Sequence, residues 1–357
     1  MSGWDGPSVA LVGAGPGDPA LISLRGRELI ASADVIVYDA LANPTLLDLA
    51  PETAERIDAG KRAREHKLSQ GQINELLAQR AEAGKKVVRL KGGDPYVFGR
   101  GSEEGLYLHQ RGIPVEVVPG ITAAVAAAAC AGIPLTHRQV AATVTFVTGH
   151  EDPSKPDAQV HYAPLAALAR RGGTLCFYMG MGRLGPIVAR LLEAGLDPKT
   201  PAAAIQWGST PKQRTVRSVL ENLAADVQSA SVADPAVIVI GAVVEVDPEG
   251  ALRGFERRPL FGRRILITRT PKQSSTLRDG LENLGAEVIE APTIRIEPAD
   301  PAPIDRALKE ADRWDWLILT SANGVEALGR RMEALGFDGR HLAGLRIATI
   351  GKATAEA

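Results

Sequence analysis

The chain has 357 residues, of which 45% are hydrophobic, 23% charged and 4% aromatic, a profile that excludes disorder and fibrous repeats and suggests two or three domains. Formal net charge is −1, so no field of the whole molecule gathers nucleic acid or anionic lipid; a polyanionic ligand needs a local basic cluster. Cys130 and Cys176 lie in apolar stretches and read as buried free thiols of a reducing compartment. Residues 1–5 offer no basic, apolar leader, and the run Ala123–Ala131 falls short of the ~20 residues a bilayer demands. A cytoplasmic protein without a membrane span or nucleic-acid partner is expected.

In chain order, β-branched runs at Val9–Val12, Val35–Tyr38, Val87–Leu90, Val115–Val118 and Thr143–Val147 predict strands, with helical spacing over Ala20–Ala33 and Gln72–Ala83. Pro134 in Gly132–Arg138 marks a crossover into a second lobe. That lobe has strands at Thr174–Tyr178, Ala202–Gln206, Arg214–Ser218 and Val237–Ile240, and helices at Pro164–Arg170 and Leu184–Ala194. Gly, Pro and charged residues from Asp247 read as a linker. Beyond it come strands at Ile265–Thr268, Glu287–Glu290, Trp316–Leu319 and Leu345–Ile350 and a helix at Leu277–Leu284. The alternation is α/β throughout. We divide it as an N-terminal lobe (1–134), a second lobe (135–246), a linker (247–263) and a partial α/β unit (264–357), the last short of a complete layer.

Three glycine turns follow strands: Gly13–Gly17, Gly92-Gly93-Asp94 and Pro119-Gly120-Ile121-Thr122-Ala123. Turns of this kind at the carboxyl ends of parallel strands bring backbone close to a ligand. The first is a poor dinucleotide fingerprint, because Asp18 stands where the third glycine belongs and Pro16 and Pro19 lack N–H groups. Asp39 is open to three readings: a ribose-binding acid, a catalytic carboxylate or a cap. Asp94 is either a ligand acceptor or an Asx turn before Pro95, and Ser102 is a plausible N-cap for the following helix. Cations gather at Lys61, Arg62, Arg64 and Lys67, with Arg25, Arg89, Lys91, Arg100 and Arg138 elsewhere. If several face one cleft they make a carboxylate funnel. The six histidines show no metal-ligand spacing, so no metal is expected.

Val12–Asp18, Val37-Tyr-Asp39, Gly60-Lys-Arg62, Val88–Pro95, Val118–Ala123, Gly132–Arg138, Phe177-Tyr-Met-Gly180 and Lys212-Gln-Arg214, in this order, resemble the uroporphyrinogen-III C-methyltransferases among the tetrapyrrole methylases. The resemblance implies two α/β lobes, a homodimer, and S-adenosyl-L-methionine in the cleft, leaving S-adenosyl-L-homocysteine after methylation of C2 and C7 of uroporphyrinogen III. Precorrin-2 would form by way of precorrin-1, for sirohaem or cobalamin-type products. Carried over position by position, Pro16, Gly92, Gly93, Asp94, Val97, Thr122, Ala123, Met179 and Gly208 match cofactor contacts, Asp39 the proton acceptor and Lys61 the proton donor. Val97 stands where an isoleucine is expected. The substrate's carboxylates make Arg25, Arg62, Arg64 and Arg138 candidates to hold it. A sister methylase acting on a later corrin precursor and a tetrapyrrole carrier are the rival readings.

Ile265–Arg269, Leu284–Glu287, Pro292 and Trp316–Val325 resemble the first part of uroporphyrinogen-III synthase, whose second half has no counterpart here. Ser321 and Asn323 either line a remnant of its cleft or cap the helix after Thr320.

Overall fold

The computed structural model describes residues 8–60, 68–151, 159–269, 271–294, 297 and 299–357. Two compact units emerge: Met1–Ile267 with Ser274–Glu290, and Thr268–Gln273 with Ala291–Ala357.

The larger unit opens with β1 (Ser8–Gly13), α1 (Leu24–Ala31), β2 (Val35–Tyr38), β3 (Glu55–Asp58), α2 (Gln70–Glu82), β4 (Lys86–Lys91), α3 (Gly101–Gln110), β5 (Val115–Val118) and α4 (Ala123–Cys130). Its five strands form a parallel sheet in the order β3-β2-β4-β1-β5. Alternation along β1 sends Ala10 and Val12 to one core with Leu29, Ile30 and Leu46, and Val9 and Leu11 to another with Leu77 and Leu108. Both faces are thus covered, and ligand access is left to the strand ends. The expected helix over Ala20–Ala33 is split, because the Ser23 hydroxyl accepts from Gly26 N and starts α1 afresh after a 3-10 turn at Pro19–Leu21. In α2, Ser69 and Gln72 cap one another reciprocally.

Next come β6 (Val144–Thr148), α5 (Tyr162–Arg170), β7 (Thr174–Tyr178), α6 (Leu184–Glu193), β8 (Pro201–Gln206), β9 (Arg214–Val219), α7 (Leu223–Ser229) and β10 (Ala236–Ile240). They build a mixed sheet, β6-β7-β10-β8-β9, in which only β6 and β7 are parallel. One face packs on α5 to α7, to which α6 gives Leu184, Ile187, Val188 and Leu191 at helical spacing. Against the other face lies α4, its Ala124, Ala127 and Ala128 touching Cys176, Ala203 and Val239. Thus α4 begins at the first sheet's strand ends and is buried on the second sheet, which binds the two lobes into one body.

The stretch expected as a linker is folded onto this body as a run of turns. Buried Asp247 accepts from Ala251 N (2.7 Å) and Leu252 N (2.9 Å), and Glu256 accepts from Gln213 and Thr215. Then β11 (Arg264–Ile267), α8 (Pro271–Asn283) and β12 (Glu287–Glu290) follow, with β11 and β12 paired in parallel.

The smaller unit holds α9 (Ala302–Lys309), β13 (Trp316–Leu319), α10 (Ala322–Ala334), β14 (Arg346–Thr349) and α11 (Lys352–Glu356). Leu308, Leu328 and Met332 make its core, and Arg331 forks onto Asp305. The Ser321 hydroxyl accepts from Gly324 N, so the structure gives it the capping role.

Candidate active site

At the carboxyl ends of β1, β2, β4 and β5 lies a cleft of about 1560 Å³, closed on its other side by loops after β7 and β8. The first wall is backbone. Gly13, Gly93 and Gly120 are stacked so closely that a Cβ on Gly120 would lie 2.2 Å from Gly93 O, and one on Gly13 2.5 Å from Gly120 Cα. Gly15 N donates to Gly93 O (3.2 Å), Gly93 N to Gly15 O (2.7 Å) and Ala14 N to Lys91 O (2.7 Å). Asp94 ties this wall together, accepting from Tyr96 N (2.8 Å) and Gly120 N (3.0 Å). The amides of Ala14, Gly15, Gly93 and Gly120 are therefore engaged within the wall and not offered to a pyrophosphate, which counts against the dinucleotide reading.

The second wall is made of side chains. Met179, Trp207 and Ser209 all line the cleft at positive φ (55°, 49° and 64°), where residues with a Cβ are strained. Buried Gln213 holds this conformation, its Oε1 accepting from Ser209 N (2.9 Å). Gly208 fits because a Cβ there would come within 2.3 Å of Ala127 Cβ. The Tyr178 hydroxyl accepts from Ala124 N (3.0 Å) and shares a 2.6 Å hydrogen bond with Thr122 Oγ1, joining β7 to the start of α4. Burial pushes this phenol above the usual tyrosine range, outweighing the two hydrogen bonds.

A buried charge network stands behind the first wall. Arg89 is 2% exposed; its Nη2 donates to Asp39 Oδ1, and its Nε to Glu104 Oε1 (3.2 Å). Glu104, fully buried, also accepts from Lys91 Nζ (3.0 Å) and Gln70 Nε2 (3.1 Å) through the same oxygen. Desolvation, then the Arg89 charge, push the Lys91 ammonium below the ordinary lysine range against the pull of Glu104. The Asp39 side chain is 31% exposed, lines the cleft, and takes no hydrogen bond on Oδ2 from the described residues. One oxygen is thus fixed and the carboxylate is presented to the cleft.

Pro16, Gly92, Gly93, Asp94, Val97, Thr122, Ala123, Met179 and Gly208 all line this one cleft, together with Asp39. Lys61, Arg62 and Arg64 fall outside the described residues. Arg25 is not part of the cleft lining: its Nε and Nη2 donate to Glu116 (2.7 and 2.8 Å) and its Nη1 to Glu28 (3.4 Å). Arg138 is exposed and likewise lies outside the cleft lining. Among the described residues, the lysines and arginines that line the cleft are Arg89, Lys91, Arg100, Lys212, Arg258 and Arg278. Asp94 makes the Asx turn, and α3 is started by Arg100 in left-handed conformation, not by Ser102. Glu104, Tyr178 and Gln213 received no role from the sequence.

Among the described residues no helix is long and apolar enough to cross a membrane. The family model for tetrapyrrole (corrin/porphyrin) methylases matches residues 8–224, and that for uroporphyrinogen-III synthase residues 275–357. A uroporphyrinogen-III C-methyltransferase of Bacillus subtilis is 39% identical over 94% of this chain and 68% of its own length. An S-adenosyl-L-methionine-dependent uroporphyrinogen III methyltransferase of Methanosarcina barkeri is 49% identical over 69% of this chain and 95% of its own. The crystal structure of a Thermus thermophilus uroporphyrin-III C-methyltransferase complexed with S-adenyl homocysteine superposes with a TM-score of 0.57 at 42% identity, covering 67% of this chain and 99% of that one. A cleft of glycine turns that keeps its amides to itself, on a two-sheet body matched over 8–224, places this chain in the tetrapyrrole methylase family, fused to a synthase-like region.

Proposed function

We infer that the chain is an S-adenosyl-L-methionine-dependent C-methyltransferase acting on uroporphyrinogen III, on the route to precorrin-2 for sirohaem or cobalamin. The finer reading is ours: methylation at C2 and C7 by a cytoplasmic homodimer, with the synthase-like region given no activity of its own. The observation that carries it is the meeting of Asp39 with all nine resemblance-derived cofactor positions in one cleft. At about 1560 Å³ the cleft exceeds the roughly 300–1000 Å³ of an ordinary small-molecule site, leaving room for a second, larger reactant beside the cofactor.

The residues fit such a cofactor. Gly92 leaves space that a Cβ would lose to Leu41 at 2.9 Å, and Val97, Ala123 and Met179 give apolar surface for a nucleoside. Bound there, S-adenosyl-L-methionine supplies an already activated methyl group. The protein's task is to align the pyrrole carbon, exclude water and manage one proton. Asp39, steadied by Arg89, accepts the proton lost from the methylated ring, and Lys61 stands at the position that the resemblance gives to the proton donor. Arg258, whose guanidinium lies over the Phe255 ring and which lines the cleft, is our candidate to meet a substrate carboxylate.

The test is anaerobic incubation of the chain with uroporphyrinogen III and methyl-labelled S-adenosyl-L-methionine, read by mass. Two added methyl groups are expected. Cofactor binding without transfer would move the reading to a later-acting methylase or a carrier, and no cofactor binding would overturn it. Asp39→Ala should cut kcat about a hundredfold, the lower range for a lost general base, while cofactor affinity holds within about twofold. Equal losses in both would make Asp39 a binding residue.

A further inference from the structure

The Gly208–Lys212 loop, which carries the cofactor position Gly208, is held by carboxylates from outside the methylase match. Glu256 lies between the two matched regions and Glu287 inside the synthase-like one. Glu256 Oε1 accepts from Gln213 Nε2 (2.8 Å) and Thr215 Oγ1 (2.6 Å). Gln213 in turn accepts from Ser209 N (2.9 Å), and the Ser209 hydroxyl accepts from Asp18 N (3.2 Å) in the first glycine loop. An unbroken chain of hydrogen bonds therefore runs from Glu256 to the opposite wall of the cleft. Contact across the cleft is tight: a Cβ on Gly17 would meet Thr210 Cγ2 at 2.6 Å.

The other end of the loop is gripped as well. Glu287 Oε1 pairs with Lys212 Nζ (2.9 Å) and its Oε2 with Arg264 Nε (2.7 Å). Burial works to raise the Glu287 pKa, but these two cations hold the carboxyl below its ordinary value. Gly285 lets β12 reach this place, since it takes φ +96° and a Cβ there would lie 2.9 Å from Arg258 Cβ. Ser209 at positive φ needs such support, because a residue with a Cβ does not rest in that conformation unaided.

We propose that Glu256 and Glu287 are positioning residues for the methylase cofactor loop, so that the connecting stretch and the start of the synthase-like region set how tightly S-adenosyl-L-methionine and its product are held. The proposal deepens, and rests on, the methyltransferase reading.

Its test uses the full chain and calorimetric binding of S-adenosyl-L-homocysteine, with KM and kcat measured beside it. Glu256→Ala should weaken binding about tenfold, the size of one or two lost buried hydrogen bonds, and raise KM for the cofactor while kcat at saturation stays within about twofold. Glu256→Gln keeps an acceptor oxygen and should restore native affinity. Lys212→Ala and Glu287→Ala should each weaken binding a few-fold, roughly what one partly exposed ion pair is worth, and the double variant should lose no more than Glu287→Ala alone. A Glu256→Ala chain that melts earlier yet binds as the native one does would make Glu256 structural only and overturn the proposal. So would a loss that Glu256→Gln fails to recover. If Glu256→Ala does not fold, the Lys212 and Glu287 variants decide, and additive losses in their double variant overturn the idea. A native chain that binds no S-adenosyl-L-homocysteine overturns this and the methyltransferase reading together; binding without methyl transfer overturns that reading alone.

Discussion

The two walls of the cleft reach the same end by opposite means. Below β1, β4 and β5 the chain comes close by having no side chains, with Gly13, Gly93 and Gly120 in mutual backbone contact. After β7 and β8 it comes close with residues that carry side chains, Met179, Trp207 and Ser209, all at positive φ, the last held there by Gln213. The first wall is rigid by exclusion of volume, and the second by hydrogen bonds that compensate strain. The first therefore fails by steric intrusion and the second by loss of a polar partner.

Gly120→Ala tests the first wall most severely. Its Cβ would lie 2.2 Å from Gly93 O and 2.7 Å from Gly13 Cα, and both obstacles are backbone atoms that cannot rotate away. We expect a loss of about 4 kcal/mol or failure to fold, the class of effect that overpacked backbone contacts give. Chemical denaturation checks it, and a cost below about 1 kcal/mol would show that the glycine stack yields more than its spacing implies.

Arg89→Leu comes next and probes the charges behind that wall. It leaves Glu104 with Lys91 as its remaining cation and strips Asp39 of its fixed partner. Breaking a buried ion pair costs roughly 3–5 kcal/mol; the lower end, about 3, is expected because Lys91 also loses a like-charged neighbour. A neutral outcome in the unfolding curve would mean that Lys91 alone satisfies Glu104. Gln213→Ala shifts attention to the second wall, removing the acceptor of Ser209 N and one of the two donors to Glu256, with Thr215 left as the other. About 2 kcal/mol is expected, with S-adenosyl-L-homocysteine affinity falling alongside. Unchanged affinity would mean that Ser209 keeps its conformation by itself.

The same contrast decides what could be read from the sequence. Glycines after β-branched runs announce the first wall, because a turn, a close approach and a strand end leave their marks in adjacent residues. The strained wall leaves none, since Met179, Trp207 and Ser209 at positive φ run against their own preferences, and the side-chain contact from Gln213 to Ser209 N has no sequence signature. In the sequence Arg89 and Lys91 read as two of several scattered cations, yet β4 is a central parallel strand with both faces covered. Charges on such a strand must be buried and must find a partner, here Glu104 from α3. Strand β3 escaped notice because, of Glu55–Asp58, only Ile57 is half-buried, so an edge strand leaves no apolar run. Helix α7 was missed for a similar reason, with Leu223 and Val227 its only buried residues. The pairing of Arg25 with Glu116, 91 residues away, is likewise invisible in the sequence, because it joins two separate elements.

Tyr178→Phe is the mildest change and the finest test of how the walls communicate. The tyrosine ring stays packed between Phe98 and Phe146, at centroid distances of 5.1 and 5.8 Å, so the variant removes a hydroxyl without opening a cavity. What goes is the acceptor for Ala124 N at the first turn of α4 and the partner of Thr122 Oγ1. Amides at a helix start have no intrahelical acceptor, and this one faces a cleft that water can enter, so the net cost should be about 1 kcal/mol. Because Thr122 belongs to the glycine wall and Tyr178 to the strained one, an affinity loss larger than the stability loss would show that the hydroxyl sets their spacing. Equal losses would confine it to capping α4.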